Sequence, residues 1–111
     1  MERRSNKFSP ADDQMISPSA VAALGNAYAH VKQLDKAVEY LKKAASMADS
    51  EAADNTNNSI SPIFLLQAGE ILESQGKKSE ALQIYQDIKT KYLNSAVSQD
   101  IDKYIERVSV K

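Results

Sequence analysis

The residues of this 111-residue chain that could carry chemistry are few and scattered. Glu70 and Glu73 stand three apart, which on a helix puts both carboxylates on one face. Two such groups divide acid and base roles only in an enclosing pocket that pushes their pKa values apart. One helix surface supplies no enclosure, so the pair reads as a solvated face. His30 is the only histidine, and no second His or Cys and no clustered carboxylates stand at ligand spacing beside it. Asp49, Glu51, Asp54, Asn55 and Asn57 hint at calcium. With Asp49 as first ligand, however, Asp54 falls where the loop needs Gly and Ile60 where it needs Glu. Asn57-Asn58-Ser59 fits a glycosylation sequon, a pattern too short to carry weight alone. Lys42-Lys43 and Lys77-Lys78 are isolated basic pairs. There is no Gly-rich phosphate loop and no Gly-x-Ser-x-Gly elbow. The residues therefore point to no enzyme, no cofactor and no metal.

Composition narrows the remaining classes. Fourteen Lys+Arg balance fifteen Asp+Glu, which argues against a nucleic-acid surface. Cysteine is absent, which excludes disulfides and thiolate metal sites. Apolar residues make up 42% and charged residues 26%, as in an ordinary soluble domain. No window approaches a membrane span, so direct insertion of this chain is not expected. Residues 1–15, "MERRSNKFSPADDQM", carry basic residues with no apolar run behind them. They do not read as a signal peptide and are expected to form a flexible leader.

The elements that must position everything else announce themselves by repetition. Ile16-Ser17-Pro18 returns as Ile60-Ser61-Pro62. Ser is a preferred N-cap, Pro suits the first helical position, and Ile at N′ faces Val21 or Leu65 at N4, a hydrophobic staple in each copy. Ser17 and Ser61 are thus predicted to open helices. Ser17 to Ser61, Gly25 to Gly69, Ala37 to Ala81 and Leu41 to Tyr85 are all 44 residues apart, so the chain contains an internal repeat. Small residues at Gly25, Ala37, Gly69 and Ala81 let paired helices approach; Val21, Leu24, Tyr28 and Leu41 are expected to fill the space between them.

The pattern predicts an all-α chain of five helices: about 18–31; a second opened by Asp35 as N-cap and running to about Ala53; about 62–75; one after Gly76-Lys77 carrying Ala81 to Tyr92; and about 95–109. Repeat one covers about 17–55, a polar loop 55–60, and repeat two about 61–93. In the last helix Val97, Ile101, Tyr104, Ile105 and Val108 share one face and Asp100, Asp102, Lys103, Glu106 and Arg107 the other. It reads as a C-terminal cap on the second repeat.

Val21-x2-Leu24-Gly25-x2-Tyr28 followed by Ala37-x3-Leu41 resembles the tetratricopeptide repeat. The second copy, Leu65-x2-Ala68-Gly69-x2-Leu72 with Ala81-x3-Tyr85, is a looser match. The family's usual period is 34 residues; the ten extra lie between Ala44 and Ile60. A period of 44 also fits HEAT or armadillo repeats, but the internal spacing favours the tetratricopeptide pattern. The resemblance implies antiparallel helix hairpins stacked as a superhelix, and a non-enzymatic scaffold that binds a peptide or helix of a protein partner on its first helices. By position, the groove residues are Ser19, Ala22, Asn26, Ala29 and His30 from copy one, with Ile63, Leu66, Glu70, Glu73 and Ser74 from copy two. Asn26 matches one residue of the Lys–Asn set with which some members hold a C-terminal carboxylate. Ala22 stands where the Lys would be, which argues against such a clamp.

Residues 16–107 also resemble the C-terminal half of bacterial membrane-anchored envelope proteins of this kind. That likeness implies a parent protein tethered in the cell envelope; a cytoplasmic setting is the alternative. Two repeats are marginal alone, so the leader folding back, pairing with a second copy, or further repeats upstream are each compatible with the sequence. Homo-oligomerisation is the alternative role.

Overall fold

The computed structural model describes residues 16–109. The expected leader, residues 1–15, lies outside them. Five helices follow in order: α1 (Pro18–His30), α2 (Leu34–Glu51), α3 (Ser61–Ser74), α4 (Lys78–Lys91) and α5 (Ala96–Ser109). Among the described residues there is no strand. Each helix packs on the next, and α5 also reaches α3. The architecture is the expected all-α stack of helix hairpins with a terminal cap.

Local chemistry explains most boundaries. Ser17 is the N-cap of α1, and its Oγ accepts the Ala20 N–H at 3.1 Å. Residues 31–33 and 75–77 close the two hairpins in the same way. The N–H of Gln33 donates to the Tyr28 carbonyl and that of Lys77 to the Leu72 carbonyl, both at 2.9 Å. The residue before each donor is left-handed: Lys32 at φ 66° and Gly76 at φ 79°. This six-to-one closure satisfies carbonyls that the helix leaves without partners.

Two capping expectations are corrected. Ser61 does not cap α3. It is fully buried, and its Oγ donates to the Ala45 carbonyl (2.9 Å) or the Asp49 carboxylate (2.8 Å) of α2. The α3 entry is held instead by Asn57, whose Oδ1 accepts the N–H groups of Ser59 and Ile60, each at 2.9 Å. Asp35 does not open α2, which starts at Leu34 with Gln33 before it. An Asp one residue inside the helix faces outward. There Asp35 takes Gln75 Nε2 and Lys77 Nζ from the second hairpin's turn, each at 3.1 Å.

The core runs along the stack. Ala37, Leu41 and Ala44 of α2, Ala68 of α3, Ala81, Tyr85 and Ile88 of α4 and Ile101 of α5 are all fully buried. Gly25 and Gly69 allow the close approach the sequence implied. A Cβ on Gly25 would lie 3.1 Å from the Ala37 carbonyl oxygen, and one on Gly69 would lie 2.5 Å from the Tyr85 ring. Leu24 is the exception to the packing expectation: it is 45% exposed, because its side of α1 carries no neighbouring helix among the described residues. Helix α2 ends at Glu51, close to the expected Ala53, and its 18 residues against 14 in α4 make it the longer second helix; helix and loop share the repeat's extra length.

Candidate interaction faces

The expected groove residues lie on the first helices of the two hairpins. On α1, Ser19, Asn26 and His30 are exposed and Ala29 is half-buried. Ala22 is only 3% exposed; the helical turn carries it into the core, and its neighbour Ala23 takes the outward place. On α3, Ile63, Glu70 and Ser74 are exposed while Leu66 and Glu73 are half-buried. The structure therefore brings Ile63, Leu66, Gln67, Glu70 and Ser74 onto one stripe at helical spacing. In α1 the residues 44 positions earlier, Ser19, Ala22, Ala23, Asn26 and His30, form the corresponding turn of the helix. Ile63 is 43% exposed at the head of this stripe, next to half-buried Leu66 and ahead of the polar Gln67, Glu70 and Ser74. Beside it, Gln67 Oε1 is buried with no hydrogen-bond partner among the described residues. A buried amide oxygen in that state is costly unless something donates to it.

Glu73 differs from the sequence expectation of a solvated carboxylate. It accepts from Arg107 of α5 through Nε (2.6 Å) and Nη2 (2.8 Å), and from the Tyr85 hydroxyl at 2.9 Å. The Arg107 hydrogen bonds, aided by Tyr85, hold the Glu73 carboxyl below the usual carboxylate range against partial burial, which opposes it. Arg107 also lies 4.9 Å from the Tyr104 ring centre, a cation–π distance. Glu73 thus serves to fasten the terminal helix. Glu70 keeps its place beside it on the open face, lining a shallow depression with Ser74 and Arg107.

A second polar cluster escaped the sequence reading. The Asp49 carboxylate of α2 accepts from Ser61 Oγ (2.8 Å), the Asn57 N–H (2.8 Å), Lys91 Nζ (3.0 Å) and the buried Tyr92 hydroxyl. Burial alone would raise its pKa. The donors, Tyr92 foremost, outweigh that and hold it low. Burial and the adjacent carboxylate push the Tyr92 phenol up. The cluster is saturated, so it ties α2, the loop and α4 together and offers nothing to a substrate.

A further surface lies on the outer side of the first hairpin. Ile16, Ala20 and Leu24 face Tyr40, Lys43 and Met47 across an apolar groove of about 750 Å³. Large residues at Leu24 and Met47, where repeat two has Ala68 and Lys91, were the sequence signal for it. Among the described residues, no three His, Cys, Asp or Glu side chains come together at metal-binding distance.

Residues 18–51, which run from the start of α1 to the end of α2, match the tetratricopeptide repeat model. The hairpin α3–α4 lies outside the matched span, as do the loop residues after Glu51. No curated protein matches the chain, and no solved structure matches it. Tetratricopeptide repeats are scaffolds that generally mediate protein–protein interaction.

Proposed function

We propose that this chain is a protein-interaction module that captures a peptide or helix of a partner protein on the outward face of α1 and α3. The observation that carries the reading is Ile63, a large apolar side chain left 43% exposed at the head of a stripe whose other exposed residues are polar. Half-buried Leu66 gives it an apolar floor. Half-buried Gln67 lies beside them, and Asn26, His30, Glu70 and Ser74 supply a polar rim. An apolar anchor within a polar rim is how protein interfaces are built. The alternative, self-association of a larger tethered protein, draws on the envelope resemblance; no helix among the described residues is long and apolar enough to cross a membrane.

The test is an Ile63→Asp variant. Leu66 is left alone because it packs on the core, and changing it would confuse folding with binding. Capture of specific partners by the immobilised wild-type chain should be lost in the variant, whose helical circular dichroism should be unchanged. Recovery of the same partners by both proteins would remove this face from consideration. Light scattering over a concentration series checks the alternative, which requires a dimer at high concentration.

A further inference from the structure

The groove on the outer side of α1 and α2 corresponds, residue for residue, to a surface that is already occupied one repeat later. Adding 44 to Ile16, Ala20, Leu24 and Tyr40 gives Ile60, Phe64, Ala68 and Ile84. In the second hairpin Phe64, Ala68 and Ile84 belong to the buried cluster that includes Val38, Leu41 and Ala45 of α2, and half-buried Ile60 packs against it. Helix α2 lies on α3 there, and Ala68 is 0% exposed where Leu24 is 45%. The first hairpin carries the same stacking surface with no helix on it among the described residues. Leu24 and Tyr40 are larger than Ala68 and Ile84, Ala20 is smaller than Phe64, and Ile16 matches Ile60, so the surface keeps its apolar character with a different relief.

The charge at the rim has been reversed between the two copies. In the second hairpin Asp87 and Glu80 share a cleft with Lys42 of α2. Their counterparts 44 residues earlier are Lys43 and Lys36, and Lys43 lines the first hairpin's groove. The cross-repeat Lys91–Asp49 ion pair (3.0 Å) also has no counterpart, because Met47 stands in the place of Lys91. The first hairpin's surface therefore suits a helix unlike α2 in one respect: it should carry acid where α2 carries Lys42.

We infer that this groove is a second docking site, which takes an amphipathic α-helix of a separate partner protein. That helix presents small and branched apolar residues along one stripe, as α2 does, with an acidic residue on its flank. It stacks on the hairpin as α2 stacks on the next one, burying Leu24, Tyr40 and Met47. Apolar burial supplies the attraction, and the charge pairing with Lys43 selects the partner. This site is independent of the α1–α3 face, so either can fail without the other.

The probe is a synthetic peptide of residues 34–51 of this chain with Lys42→Glu, titrated against the full-length protein. The unaltered 34–51 peptide is the comparison. Saturable binding of the acidic peptide is expected, about tenfold tighter than that of the unaltered one. Leu24→Asp and Met47→Asp should each abolish it, whereas Ile63→Asp should leave it intact. Lys43→Glu should invert the preference between the two peptides. A photo-crosslinking side chain at position 24 should label the peptide. Absence of binding, or binding indifferent to both Leu24→Asp and Lys43→Glu, would overturn the assignment. So would crosslinking that goes only to residues 1–15 or only to a second copy of the chain, either of which would identify a different occupant.

Discussion

Asp49 collects more inter-element hydrogen bonds than any other described side chain, and its charge strengthens each of them. With the folded pKa held below the ordinary carboxylate value, the sign follows directly. The stabilisation is present above about pH 4, where the unfolded group also ionises, and fades as pH falls through the lower folded value. Asp49→Asn should cost about 1–3 kcal/mol at pH 7, since it trades a charged acceptor for a neutral one amid four donors. Urea unfolding at pH 7 and again near pH 3 checks this; the gap between wild type and variant should narrow in acid. A gap of equal size at both values would mean the carboxylate's charge contributes nothing. None of this was legible in the chain, where Asp49 looked like one more acidic residue before a loop. Its partner Tyr92 is 43 residues away, and only the packing of α2 and α4 on the two sides of α3 brings them together. Gly69, by contrast, was legible because a small residue at a repeated position implies close approach. Gly69→Ala forces a methyl into the Tyr85 ring, which is fully buried and tethered to Glu73. A loss of about 1–3 kcal/mol is expected, despite alanine's better helix propensity.

Among the elements, the hairpin turns show how one backbone solution tolerates two residue types. Lys32 and Gly76 occupy the same left-handed position in the two copies, and only Gly does so without a Cβ penalty of about 1–2 kcal/mol. Lys32→Gly should therefore stabilise the protein by about 0.5–1 kcal/mol, the relief of strain being partly offset by greater freedom in the unfolded chain. Thermal unfolding would register a rise in midpoint; no rise would mean that Lys32 makes a compensating contact. Nothing in the sequence marked Lys32 as left-handed until the 44-residue register aligned it with Gly76. The same register made the helices themselves legible, because the Ser-Pro starts and the apolar spacing repeat together. The groups that cap α2 and α3 were not. Sequence-local capping rules favour Ser61, but burial against Ala45 and Asp49 claimed its hydroxyl, and Asn57 took over the exposed N–H groups.

Across the whole molecule, the contacts run in series: α1 with α2, α2 with α3, α3 with α4, and α5 with α4 and α3. In such an array stability is a sum of unit and neighbour-interface contributions rather than one indivisible core. The terminal helix tests this arrangement most directly. Ile101 is 0% exposed at the centre of its packing face, and Arg107 locks its far end to Glu73. Ile101→Ala should cost about 2–4 kcal/mol, a substantial share of the roughly 5–15 kcal/mol that holds a domain folded. The loss should also be unequal along the chain. Amide exchange should quicken most in α5, next in α4 and α3, and least in α1 and α2, because opening the cap leaves the first hairpin's interfaces intact. Equal acceleration in all five helices would show instead that the stack opens as one cooperative unit. In that case a ligand on either proposed face would stabilise α5 as strongly as the helix it touches.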